Sequence, residues 1–187
     1  MQMSKPTLLC GIKNMDPSLK NALEFGVYDG GGIRLIRGML DESHEVCGFD
    51  TFTGLPEDWI GTTLKKGFFD RAGEIPQIGG VKFYKGLFSD TIPTYLSEAG
   101  HNEPLGLLHI DCDLYSSTVD VLHSLNHLIV KNTVIVFDEW IYNFDPKYND
   151  HEQKAFYEWV ESKGRKFEFL EACNTLEIEQ RTLRILS

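Results

Sequence analysis

Two pairs of acidic residues carry the clearest chemical signal in this sequence. The segments Ile110-Asp111-Cys112-Asp113-Leu114-Tyr115-Ser116-Ser117-Thr118 and Val136-Phe137-Asp138-Glu139-Trp140 each leave an apolar run and turn acidic. Both pairs fall at the carboxyl ends of predicted strands, the edge where open α/β sheets bind ligands. Carboxylates that converge on one crevice repel one another and are costly to leave unpaired. A divalent cation resolves that conflict, and an all-oxygen donor set favours Mg²⁺ or Mn²⁺ over zinc.

A second signal lies near the start of the chain. Leu23-Glu24-Phe25-Gly26-Val27-Tyr28-Asp29-Gly30-Gly31-Gly32 passes from apolar residues through an acidic one into a glycine-rich bend, and Ile33, Leu35, Ile36, Met39 and Leu40 follow at helical spacing. Such a strand-to-helix turn brings backbone close to a nucleotide-like ligand. The spacing Glu24-x-Gly26-x-x-x-Gly30 differs from the G-x-G-x-x-G of dinucleotide sites. It resembles motif I of the class I S-adenosylmethionine (SAM) methyltransferases, in which the loop passes under the methionine part of the cofactor. Asp50 ends the next apolar run, where an acidic residue commonly accepts hydrogen bonds from ribose hydroxyls. Gly86-Leu87-Phe88-Ser89-Asp90 follows the third run, and the methyltransferase resemblance implies adenine there, beside Phe88 or Ser89.

These segments need a scaffold that delivers them to one edge. Short apolar runs alternate with helical patterns, as in a parallel sheet covered by helices on both faces. The pattern predicts strands near 22–27, 45–50, 81–86, 106–111 and 133–138, with helices near 31–41, 91–99, 117–130 and 150–163. Ser117-Thr118-Val119-Asp120 fits a capping box, Asp150-His151-Glu152-Gln153 is a close analogue, and Gly164 suits a helix C-terminus. After Gly164, Lys166 to Ala172 and Thr182 to Leu186 read as two strands joined by a turn. The expected fold is therefore α/β and Rossmann-like: a mostly parallel seven-stranded sheet that finishes in an antiparallel hairpin, as in class I methyltransferases.

Size and composition bound the function. At 187 residues the chain suits a single domain over 1–187. The formal net charge of −10 disfavours nucleic-acid partners, whose binding depends on Lys and Arg displacing counterions from phosphates. No apolar stretch approaches a membrane span, and Met1 to Leu9 lacks the pattern of a signal peptide, so a cytoplasmic location is expected. Cys10, Cys47, Cys112 and Cys173 lie far apart with no C-x-x-C pair, which points to reduced thiols rather than a zinc site or a disulfide frame. His109, His123 and His127 have no ligand spacing and read as core or surface residues. The stretch from Gly54 to Gly80 is long and irregular. Its Trp59, Phe68 and Phe69 make it a candidate lid.

The segments EFGVYDGGG, GFDTFTGLPE, HIDCDLYSST and VFDEW occur in the order and approximate spacing of the macrocin O-methyltransferase family, and the resemblance runs from about residue 20 to 163. It implies a SAM-dependent, metal-dependent O-methyltransferase with Mg²⁺ or Mn²⁺ on Asp111, Asp138 and Glu139, and with Asp113 as general base. The implied cofactor set is Glu24, Gly26, Tyr28, Gly30, Gly31, Asp50, Thr51, Phe88, Ser89 and Asp111. The family more often carries two aspartates and a Tyr where this chain has Asp138-Glu139-Trp140. The expected partner is a small-molecule acceptor, a sugar, a phenol or another polyhydroxy compound; a homodimer is compatible with the resemblance, whereas nucleic acid and membrane are not expected. Two rivals are a methyltransferase-like domain that binds SAM without turnover, and a Mg²⁺-dependent phosphatase whose D-x-D strand end IDCDLYSST also resembles.

Overall fold

The computed structural model describes residues 5–98, 102–142, 151–174 and 178–187. The elements in chain order are α1 (Pro6–Lys13), β1 (Asn21–Phe25), α2 (Gly31–Met39), β2 (Glu45–Asp50), β3 (Lys82–Lys85), α3 (Phe88–Ser97), β4 (Leu105–Ile110), α4 (Tyr115–Ser124), β5 (Val134–Tyr142), α5 (Glu152–Lys163), β6 (Phe167–Asn174) and β7 (Ile178–Ile185). The seven strands form one sheet in the order β3-β2-β1-β4-β5-β7-β6. The first five are parallel, and β7 pairs antiparallel with both β5 and β6. Chain order reverses between β1 and β4, which makes the crevice at their carboxyl ends the topological switch point.

Strand alternation divides the core into two layers. Leu23, Phe25, Phe49, Leu108, Ile110 and Phe137 face α3, α4 and α5, which contribute Ile92, Tyr95, Val121, Leu122, Phe156 and Trp159. Ala22, Val46, Leu107, Val134 and Val136 face α1 and α2, which contribute Leu8, Ile12, Ile33 and Ile36. Burial on both sides is why β1 and β4 are mostly apolar, apart from Asn21, Glu24 and His109. Phe49 stacks between Phe25 and Tyr84, with ring centroids 4.4 and 4.8 Å away. Truncating such a ring to alanine costs about 3–5 kcal/mol.

Several boundaries differ from expectation. α1 was not anticipated; Pro6 opens it and its Leu8 and Ile12 complete the second layer. α4 starts at Tyr115, so Ser117 and Thr118 lie inside the helix and form no capping box; Thr118 Oγ1 instead donates back to the Leu114 carbonyl. α4 also ends early, at Ser124, because tight turns follow Leu125. α3 begins at Phe88, a turn before the expected start, with Thr91 Oγ1 donating to the Leu87 carbonyl. α5 follows His151, which makes no side-chain cap, and Asp150 lies outside the described residues. Gly164 does close α5 in the left-handed conformation, at φ 63°.

Candidate active site

A cavity of about 550 Å³ opens at the carboxyl ends of the central strands, within the range of about 300–1,000 Å³ usual for small-molecule sites. Gly26, Tyr28 and Gly31 from the turn after β1, Asp50 and Thr51 after β2, and Phe88 at the start of α3 all line it, together with Asp111, Asp113, Asp138 and Glu139. Glu24, Gly30 and Ser89 from the expected cofactor set lie off this wall.

The turn after β1 is built for close approach. Gly26 has φ +91°, and a Cβ there would lie 1.6 Å from the Asp111 carbonyl oxygen, so only glycine lets this loop pass the loop after β4. Asp50 Oδ2 accepts from the Val27 and Tyr28 amides, each at 2.8 Å, and Oδ1 accepts from the Phe52 amide at 2.7 Å. A carboxylate has about four acceptor sites, so Asp50 pins the turn and retains capacity for a ligand hydroxyl. Glu24 supports the turn from behind. It is buried beneath Gly32, where a Cβ would meet its Oε1 at 2.1 Å.

One oxygen from each of Asp111, Asp138 and Glu139 can lie within 4.8 Å of the others. Neighbours on a strand normally point to opposite faces, yet Asp138 and Glu139 reach the same cavity. The pairing of β5 with β7 supplies the reason: Phe137 pairs with Arg181 and Ile141 with Glu179, an irregularity of the kind that re-aims side chains beside active sites. Asp113 joins the wall from a left-handed backbone, φ 67°, a strained conformation for a non-glycine residue.

The cluster carries strong mutual repulsion. Burial, then the charge of Asp138, pushes the Asp111 carboxyl above its usual range. Burial and the charges of Asp111, Asp138 and Asp50 push Asp113 well above it, and burial with Asp113 and Asp111 does the same to Glu139. Asp138 goes the other way: burial opposes its charge, but His109, Lys5 and Gln180 outweigh that and hold its pKa below the ordinary value. Glu139 Oε2 is buried with no hydrogen-bond partner among the described residues. An all-oxygen set with an orphaned carboxylate oxygen is chemistry that a hard divalent cation fits.

Three contributors to this site were not anticipated. Lys5 Nζ lies 2.8 Å from Asp111 Oδ2 and 3.6 Å from Asp138 Oδ1; burial opposes its charge, but these carboxylates outweigh that and raise its pKa. Gln180 Nε2 donates to Asp138 Oδ1 at 2.7 Å. His109, which reads as a core residue, is fully buried between Glu24 and Asp138. Its position beside Glu24 in the β1–β4 register is the signal that could have found it, because a buried acid and a buried imidazole on adjacent strands need each other. Cys112 also lines the cavity, and burial pushes its thiol pKa well up. Of the candidate lid aromatics, Trp59 is buried against Leu55 and Leu114, whereas Phe68 and Phe69 stay exposed and Phe69 lies on the cavity wall.

Residues 76–153 match the Macrocin-O-methyltransferase (TylF) family. No curated protein sequence matches the chain. Among solved structures, the calicheamicin methyltransferase CalS11 is 23% identical, with 96% of this chain and 76% of that one covered at a TM-score of 0.69. The O-methyltransferase NovP is 20% identical over 98% of this chain and 79% of its own, with a TM-score of 0.67. An O-methyltransferase from Bacillus cereus, in complex with SAH, is 17% identical over 99% and 82%, with a TM-score of 0.63. The fold of the whole chain is that of these methyltransferases, a seven-stranded α/β sheet with an antiparallel C-terminal hairpin.

Proposed function

We propose that this protein is a SAM-dependent O-methyltransferase of the kind matched over residues 76–153, and that it passes the methyl group to a hydroxyl of a small sugar, phenolic or polyhydroxy acceptor held with Mg²⁺ or Mn²⁺. The observation that carries the reading is the convergence of Asp111, Asp113, Asp138 and Glu139 on the cavity that the glycine-rich turn also lines. SAM brings a methyl group already activated on a sulfonium. A divalent cation, when bound, lowers the pKa of a hydroxyl beside it and neutralises the carboxylates.

The chain's own residues supply the rest. Gly26 and Gly31 give backbone room for the cofactor, Asp50 offers its remaining acceptor site to a ribose hydroxyl, and Phe88 offers a face to adenine. Asp111, Asp138 and Glu139 would hold the cation. Asp113 takes the acceptor proton. Burial and the charge of Asp111 raise its carboxyl pKa above the ordinary value, the direction that favours proton uptake. Alignment of the acceptor oxygen with the methyl–sulfur bond is the main catalytic gain, since positioned reactants reach effective molarities of about 10⁵–10⁸ M.

The test is a screen of sugars, catechols and small polyols with methyl-labelled SAM and Mg²⁺. Label transferred to an acceptor oxygen, and lost on chelation, supports the reading. Transfer that survives exhaustive chelation removes the metal from it, and SAM binding with no transfer to any acceptor favours a non-catalytic SAM-binding protein.

A further inference from the structure

We propose that Lys5 is a resident cation of the carboxylate site and that a divalent ion enters by displacing it. The inference rests on the reading that Asp111, Asp138 and Glu139 take such an ion. Lys5 Nζ sits 2.8 Å from Asp111 Oδ2 and 3.6 Å from Asp138 Oδ1, so it bridges two of the three carboxylates of the donor set. An ammonium is a compact point charge with three donors and no acceptor. It therefore pairs with Asp111 and Asp138 as a small cation would, but cannot share their oxygens with a second cation at contact distance, because like charges in a partly buried site repel strongly.

The placement of Lys5 is fixed by its helix. Lys5 immediately precedes Pro6, the first residue of α1, and Leu8 and Ile12 anchor α1 in the core. Thr7 Oγ1 donates to Gln180 Oε1 at 2.9 Å, Thr182 Oγ1 donates to the Thr7 carbonyl at 2.8 Å, and Gln180 in turn donates to Asp138. The contacts that deliver Lys5 thus also orient one of its two carboxylates. The Lys5 side chain is 22% exposed and lies on the cavity wall, so its four-carbon stem has an open path to swing aside. Its consequence is a site in which Asp111 and Asp138 are partly compensated without metal, and which binds metal less tightly than its carboxylates alone would.

The experiment titrates Mn²⁺ alone by calorimetry into the wild type, Lys5→Met and Lys5→Gln, two substitutions of similar length that retain the α1 anchors. Displacement predicts Mn²⁺ affinity at least about tenfold tighter in both variants, the direction set by removal of a like charge from the site. It also predicts that acetylation of Lys5 in the wild type by an N-hydroxysuccinimide ester, read by peptide mass spectrometry against exposed Lys65 as a control, rises several-fold on Mg²⁺ saturation. Equal or weaker Mn²⁺ binding in the variants overturns the inference alone. Tighter binding without a rise in Lys5 labelling means that the ammonium stays beside the ion, and that too overturns displacement. Failure of Mn²⁺ to bind any of the three proteins overturns the metal reading and the inference with it.

Discussion

His109 Nδ1 lies 2.8 Å from Glu24 Oε1, and its other ring nitrogen lies 3.8 Å from Asp138 Oδ1. A single buried imidazole therefore sits between the strand that opens the glycine-rich turn and the strand that bears Asp138. The arrangement follows from strand alternation. Glu24 pairs in register with His109, both point toward α1 and α2, and Asp138 lies two residues beyond His109's partner Val136 on the same face.

That row predicts a pH-dependent stability. Burial opposes a charged His109, but the Asp138 and Glu24 carboxylates on either side outweigh it and bring the pKa up from 6.5 to about 9. The folded value exceeds the unfolded one, so the contribution is fully present below about pH 6.5 and is lost as pH rises through about 9. Urea denaturation of the wild type should show stability falling across that window. His109→Gln should flatten the decline and lower stability at pH 6 by about 3–5 kcal/mol, the cost of stranding a buried charge. An unchanged slope in the variant would remove His109 as the source.

The carboxylates should separate by role. Asp111→Asn and Asp138→Asn should lose Mn²⁺ affinity by at least the about 10–100-fold seen when mere outer-shell partners of a metal are changed, and turnover with it. Asp113→Asn should leave Mn²⁺ binding largely intact while lowering the rate by about 100-fold or more, the scale of a lost general base. Equal loss of metal in all three would make Asp113 a ligand.

The cofactor turn yields a third expectation. Calorimetry should show SAM or its demethylated product binding without metal, and NADH failing to bind. Asp50→Ala should weaken SAM binding by at least about 1 kcal/mol through lost hydrogen bonds to a charged group, and by more where the freed Val27 and Tyr28 amides loosen the turn. Gly26→Ala should abolish binding, because its Cβ meets the Asp111 carbonyl. Wild-type affinity in Asp50→Ala would take Asp50 out of the site.

What the sequence made legible, and what it did not, divides along the range of the interactions. β1, β2, β4 and the start of β5 were readable because parallel strands buried on both faces are largely apolar; Asp50, Asp111 and Asp138 stood out as acidic residues at the carboxyl ends of such runs. The hairpin was readable because no helical pattern follows Gly164. Lys5 was not readable, since its partner Asp111 is 106 positions away and the packing of α1 on the sheet brings the two together. The irregularity in β5 that turns both Asp138 and Glu139 inward was equally hidden, because strand periodicity alone sends neighbours to opposite faces. The false capping box at Ser117 shows the converse weakness: a local signal was present, but the chain already enters the helix at Tyr115.

The stretch between Gly54 and Gly80 should move in only one of its parts. Trp59 is 2% exposed, its ring lies 4.4 Å from that of Tyr142, and Nε1 lies 3.2 Å from His151 Nε2, so this end packs on the protein itself. Phe68 and Phe69 are 48% and 39% exposed, stack edge to face, and bring Phe69 against Tyr28 at the cavity mouth. Paired exposed aromatics beside a site that must exclude water fit a cover that closes over the acceptor. Amide hydrogen exchange should therefore slow at residues 68–73 when SAM product, Mg²⁺ and an acceptor are added together, while the amides around Trp59 are protected from the start and do not change. Phe69→Ala should raise the acceptor KM with little effect on SAM affinity. Uniform protection of 54–80 in the free protein, unaltered by ligands, would make the whole stretch structural and leave the cavity open during methyl transfer.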